Sequence, residues 1–137
     1  MIDPTAIAAR LTEARFYICD LRPEWRRNWA VTFWRPDNAG YAYPLSWAGK
    51  YSAEKVKKGG SYYAKRSRAG DEAERPGKTL IRFPVPCEVA EAMAVASPPG
   101  KIDGDAGPVV MNNGKNRIAL RKAGRAVLAE LDKEPPK

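Results

Sequence analysis

A chain of 137 residues with 44% hydrophobic and 29% charged residues has the length and balance of one ordinary globular domain. Its formal net charge of +8 is concentrated in residues 50–82 and 114–137, a field that favours polyanionic partners: nucleic acid, acidic membrane surface or acidic protein. The absence of histidine removes the commonest general base and metal ligand, along with every Ser–His or Cys–His dyad. Two distant cysteines provide no zinc site of standard spacing.

Asp3-Pro4 reads as an N-cap with proline at the first helical position, and residues 1–15 read as an alanine-rich N-terminal helical extension. Phe16 to Leu21 is strand-like, and Arg22 to Asn28 is a polar loop. Two period-two faces follow: Trp29, Val31 and Phe33, then Tyr41, Tyr43, Leu45 and Trp47. The turn residues Pro36 to Gly40 between them predict a hairpin. Pro44 cannot donate to a ladder, so the second strand is expected at an edge or irregular. Twelve of the 13 aromatics lie between Phe16 and Tyr63, so the first half supplies the large packing groups.

Ser52 is placed to cap a short helix, Ala53 to Lys58, stopped by Gly59-Gly60. Residues 64–78 carry no large apolar group and predict a mobile loop. Thr79, Ile81, Phe83 and Val85 alternate as a strand, and Pro86 opens a helix over Cys87 to Ala96. Val109 to Met111 predicts a short strand. The last helix runs from Gly114 to Asp132, capped by Asn112 or Asn113, with a stripe of Leu120, Gly124, Val127 and Leu131. The expected architecture is one α+β domain, 1–137: a small, mostly antiparallel sheet with two or three packed helices.

No catalytic constellation, metal site or cofactor motif emerges. Pro76-Gly77-Lys78-Thr79 lacks the first glycine of a phosphate loop, where Glu72 stands, and it precedes a strand. Cys87 at a helix start could carry a lowered thiol pKa, but without a base it reads as a small buried hydrophobe. Asp103 and Asp105 lack the further ligands of a calcium loop. Both thiols are expected reduced in a cytoplasmic protein: the start lacks the features of a signal peptide, and no apolar run reaches membrane-spanning length.

The basic residues carry the better-founded chemistry. Lys57, Lys58, Lys65, Arg66 and Arg68 surround Tyr62-Tyr63, and cations beside aromatic faces are the means by which single-strand binders hold phosphates and stack bases. Arg117, Arg121 and Arg125 repeat every four residues on the last helix and add candidate phosphate contacts.

The block Trp34-Arg35-Pro36, Asn38, Gly40-Tyr41, Leu45 and Ala48-Gly49-Lys50-Tyr51 resembles one in small, mostly uncharacterised proteins encoded by tailed phages and prophages. The similarity continues through Pro84 to Val89 and Gly104 to Val110. The resemblance implies a mobile-element origin and a host-interacting accessory role, defence inhibition included; it carries over no activity and no functional residue. The expected function is therefore a non-enzymatic, phage-like protein that binds nucleic acid or a nucleoprotein complex. A protein-binding inhibitor of a host enzyme or defence system, using the hairpin aromatics, is the alternative; an enzyme of unknown type comes third.

Overall fold

A computed structural model describes residues 14–66, 79–98 and 107–132. Its centre is β1 (Arg15–Asp20), where every residue from Phe16 to Asp20 is buried. A strand covered on both faces belongs in the middle of a sheet. One edge of β1 is shared by two short antiparallel partners, β2 (Thr32–Trp34) and β4 (Tyr51–Ser52). The other edge pairs along five residues with β6 (Leu80–Pro86), from Phe16↔Pro86 to Asp20↔Arg82. Outside these lie β3 (Tyr41–Ala42) against β2 and β5 (Lys65–Arg66) against β6, so the described sheet has six strands, paired antiparallel throughout. Among the described residues three α-helices complete the α+β fold: α1 (Ala53–Gly59), α2 (Cys87–Met93) and α3 (Gly114–Asp132).

Alternation along β1 divides the core in two. Tyr17 and Cys19 join Phe33, Phe83, Val85, Val110 and Leu120, while Phe16 and Ile18 join Trp34, Tyr51, Val56 and Tyr63. The α3 stripe serves both, through Leu120 on one side and Val127 and Leu131 on the other. Gly124 lies in that stripe because a Cβ there would collide with the Phe83 ring.

The local signals for helix ends hold. The Ser52 hydroxyl accepts from the Lys55 amide at 3.1 Å, and Gly60 follows α1 with φ +54°. Asn113 is the cap of α3, its side chain accepting from the Asn116 amide at 2.8 Å. Asn112 instead ties loops together, donating to the carbonyls of Trp25, Arg26 and Asn28.

Four expectations need correction. The hairpin exists, but only Phe33↔Ala42 and Trp34↔Tyr41 pair, and Leu45–Trp47 turn into a 3₁₀ helix after Pro44. Ala42 is consequently the buried residue of β3, whereas Tyr41 and Trp47 are 45% and 39% exposed. The helix after Pro86 stops at Met93, because Ala94 is extended and Val95 exchanges backbone bonds with Val109. Val109 to Met111 forms isolated bridges with Val95, Pro44 and Ala30 instead of a full strand. Lys65 and Arg66, assigned to a mobile loop, are strand β5. Residues 67–78 of that loop, Arg68 among them, the N-terminal helix before Ala14 and the Asp103/Asp105 segment lie outside the described residues.

Candidate nucleic-acid interface

The end of β1 carries a buried carboxylate. Asp20 faces the second core half, with its side chain fully enclosed, and it is held by a surrounding set of donors. Arg22 grips it with Nε at 3.1 Å, Nη2 at 2.7 Å and its own backbone N–H at 3.2 Å; Trp34 donates its indole N–H at 3.2 Å. Arg82, opposite Asp20 on β6, brings Nε to 3.6 Å. Burial alone would raise the Asp20 pKa, but the bonds from Arg22 and Trp34 outweigh it and hold the group below the usual carboxylate value. Arg22 in turn is raised by its hydrogen bond to Asp20 and stays cationic.

These two guanidiniums organise an aromatic shelf. Arg22 stacks on Trp25 at 3.8 Å and lies 5.1 Å from the Tyr41 ring; Arg82 lies 4.7 Å from Trp34 and 5.4 Å from Tyr62. Trp34 forms the buried floor, with Tyr41 and Tyr62 set edge-on to it at 6.1 and 5.3 Å. Tyr62 is half exposed, and its carbonyl accepts from Arg82 Nη1.

The two adjacent tyrosines have different fates. Tyr62 faces solvent, as a stacking residue must. Tyr63 is 3% exposed, packs on Trp34 and Tyr51, and donates its hydroxyl to Asn38 at 2.8 Å, so it is a core residue and not a stacking platform. Lys57 and Lys58 are exposed on α1, where Lys58 pairs with Glu54 at 3.0 Å and part of the local charge is neutralised.

One residue from each half of the expected basic surface is placed relative to Leu80. Arg66 is the register partner of Leu80, and Arg121, reaching from α3, donates Nε to the Leu80 carbonyl at 2.9 Å. Lys65 stands opposite Arg82 in the same pairing. Burial lowers the pKa of Arg121, and the like charges of Arg117 and Arg125 add to that effect. Arg117 donates to the Asn112 side chain at 2.8 Å, and Arg125 is exposed a turn beyond Arg121.

Arg117 and Arg121 also line a pocket of about 390 Å³, together with Arg22 and Arg26. Sequence reasoning missed Arg22, Arg26 and Arg82. Arg82 interrupts the apolar run of β6, but the residue that gives it meaning, Asp20, is set opposite it only by the pairing of β1 with β6.

The cysteines are packing residues. Both are buried and unbridged; burial pushes the Cys19 thiol up, and the Cys87 thiol up to about 11, which removes the lowered pKa that a helix start could have given it. Among the described residues no group of three acidic, cysteine or histidine side chains could hold a metal ion, and no helix is long and apolar enough to cross a membrane. Comparison of the chain with protein-family models, curated proteins and solved structures gives no match.

Proposed function

We propose that the protein is a non-enzymatic accessory protein, of the phage-like kind its Trp34–Tyr51 block resembles, that binds single-stranded nucleic acid through the face carrying Tyr62. One observation carries the reading: a half-exposed tyrosine ring is fixed between Trp34 and Arg82, beside the cationic strand Lys65–Arg66. A ring whose rotamer is already set by its neighbours loses little entropy when a base stacks on it. Cations at its side meet the phosphates on either side of that base. Arg121 and Arg117 extend the positive field towards α3.

The test is fluorescence anisotropy with a labelled single-stranded oligonucleotide at several salt concentrations. Log affinity should fall linearly with log salt, and each cation removed should flatten the slope by about 0.7. Tyr62→Ala should weaken binding by about 1–3 kcal/mol, whereas Tyr63→Phe should leave affinity unchanged. No binding even at low salt refutes the proposal.

A further inference from the structure

The aromatic shelf presents two exposed rings. Tyr41 and Tyr62 are both about half exposed, and each stands nearly perpendicular to the Trp34 indole, at 74° and 75°. Tyr41 is the register partner of Trp34 between β3 and β2, so the two side chains leave the sheet on one face. Tyr62 reaches the same indole from the 3₁₀ turn Gly60–Tyr62. Trp34 itself is buried, which leaves the two tyrosines as the faces open to a ligand.

Both rings are pinned by their neighbours. Trp25 packs edge-on to Tyr41 at 4.8 Å, and the Tyr41 hydroxyl accepts from Arg22 Nη2 at 3.1 Å. Tyr63 packs edge-on to Tyr62 at 5.3 Å, and the Tyr62 carbonyl accepts from Arg82 Nη1 at 3.1 Å. The low entropic cost of stacking on an ordered ring therefore applies to Tyr41 as it does to Tyr62.

The charges between the rings have a matching arrangement. Arg22 lies against Tyr41 and Arg82 against Tyr62, and both guanidiniums turn to the one carboxylate of Asp20. Two cations against one buried anion leave this trio with a single positive charge. One phosphodiester, with a single negative charge, joins two neighbouring nucleotides. The ring centroids lie 6.1 and 5.3 Å from the same indole, which puts both faces within reach of adjacent bases of one strand.

We infer that Tyr41 is a second stacking platform of this site and that its ligand is an unpaired dinucleotide step: one base on Tyr62, the next on Tyr41, the joining phosphate beside Arg22 and Arg82. The inference rests on the single-strand reading, which needs Tyr62 alone, and adds a second contact residue and a minimum ligand length. Successive bases on successive aromatic side chains are the usual means of holding an unpaired strand. Bases already stacked within a duplex offer neither ring a free face.

The decisive measurement is competition. A labelled single strand bound at low salt is displaced by an unlabelled thymidine dinucleotide, or by either of the two dinucleotides in which one base is replaced by an abasic sugar, with anisotropy as the readout. All three competitors carry the same phosphates, so only stacking differs. The full dinucleotide should compete about tenfold better or more than either abasic form, the size of one stacked base. In Tyr41→Leu, with thermal melts confirming folding, the full dinucleotide should fall to the level of one abasic form, and Tyr41→Phe, which keeps the ring, should restore the difference. If the full dinucleotide competes no better than one of the abasic forms with wild type, the second platform is overturned and the Tyr62 reading stands. Unchanged competition in folded Tyr41→Leu overturns it equally. If the labelled strand does not bind at low salt, the reading beneath it fails as well.

Discussion

Asp20 is the residue whose replacement most directly tests the electrostatic account. Asp20→Asn keeps the size of the side chain but removes its charge and turns an amide N–H towards donors already present. One oxygen can still accept from Arg22, while Trp34 Nε1 and the second Arg22 contact lose their acceptor, and Arg82 loses its counter-charge. Breaking a buried pair by removing one partner costs about 3–5 kcal/mol. The Arg22 side chain is 24% exposed and can be partly rehydrated, which places the expected loss near the lower end, about 3 kcal/mol. In a domain of this size that corresponds to a fall in Tm of about 10 °C.

The pH dependence of the same variant carries a second check. Because the folded pKa of Asp20 is depressed, the unfolded chain takes up the proton first as acid is added. Its contribution is complete above about pH 5 and disappears as the pH falls through the folded value. Urea denaturation of wild type and Asp20→Asn should therefore give a gap of about 3 kcal/mol at neutral pH that narrows by about pH 3. A gap below about 0.5 kcal/mol at neutral pH, or one that is the same at both, refutes the reasoning.

Two further substitutions test the packing. Gly124→Ala would ordinarily gain helix stability of up to about 1 kcal/mol, but the Phe83 ring occupies the space of the new Cβ, so a loss of about 1–3 kcal/mol is expected by denaturant titration. Phe33→Ala, which removes a fully buried ring set edge-on to Tyr17, should cost about 3–5 kcal/mol, and an unchanged denaturation midpoint would contradict its place in the core.

What the sequence made legible is what local chemistry decides. Ser52 and Asn113 are caps because their side chains satisfy amides only three residues away, and Gly124 falls in the α3 stripe at helical spacing. Phe16 to Leu21 reads as a strand because its run is short and apolar. The misreadings arise where a distant contact decides. Tyr62 and Tyr63 are chemically identical neighbours, and only the positions of Trp34, Tyr51 and Asn38 determine which one is buried. Alternation in residues 41–47 suggests an inward Tyr41, yet Trp34 and Phe33 on β2 set the register that points Ala42 inward instead. Half of the candidate site was in view, as the Lys65–Arg66 and Arg117–Arg121 cations. The other half, Arg22 and Arg82, becomes visible only once β1 and β6 lie side by side and make Asp20 their common acceptor.

The Trp34–Tyr51 block has a physical rationale in the same terms. Gly49 donates its amide to the Trp34 carbonyl at 2.8 Å, and a Cβ there would sit 2.6 Å from the Pro36 backbone. Tyr51 reaches the same turn, bonding to the Arg35 carbonyl and to Asn38. The tryptophan, proline, asparagine, glycine and tyrosine of the block thus clamp one tight loop.

The pairing of β1 with β6 has a consequence for how the chain comes into being. During synthesis Phe16 to Cys19 emerge well before the strand that covers one edge of them, which ends only at Pro86. Local hairpin contacts with β2 and β4 can form first, while the longest ladder of the sheet must wait for a loop closure of more than sixty residues. Until then the growing chain exposes an unpaired apolar edge, the kind of surface that recruits other unfinished chains. A sheet of this design favours rapid completion or transient shielding of β1, and the burden falls on the maturing polypeptide instead of the finished fold.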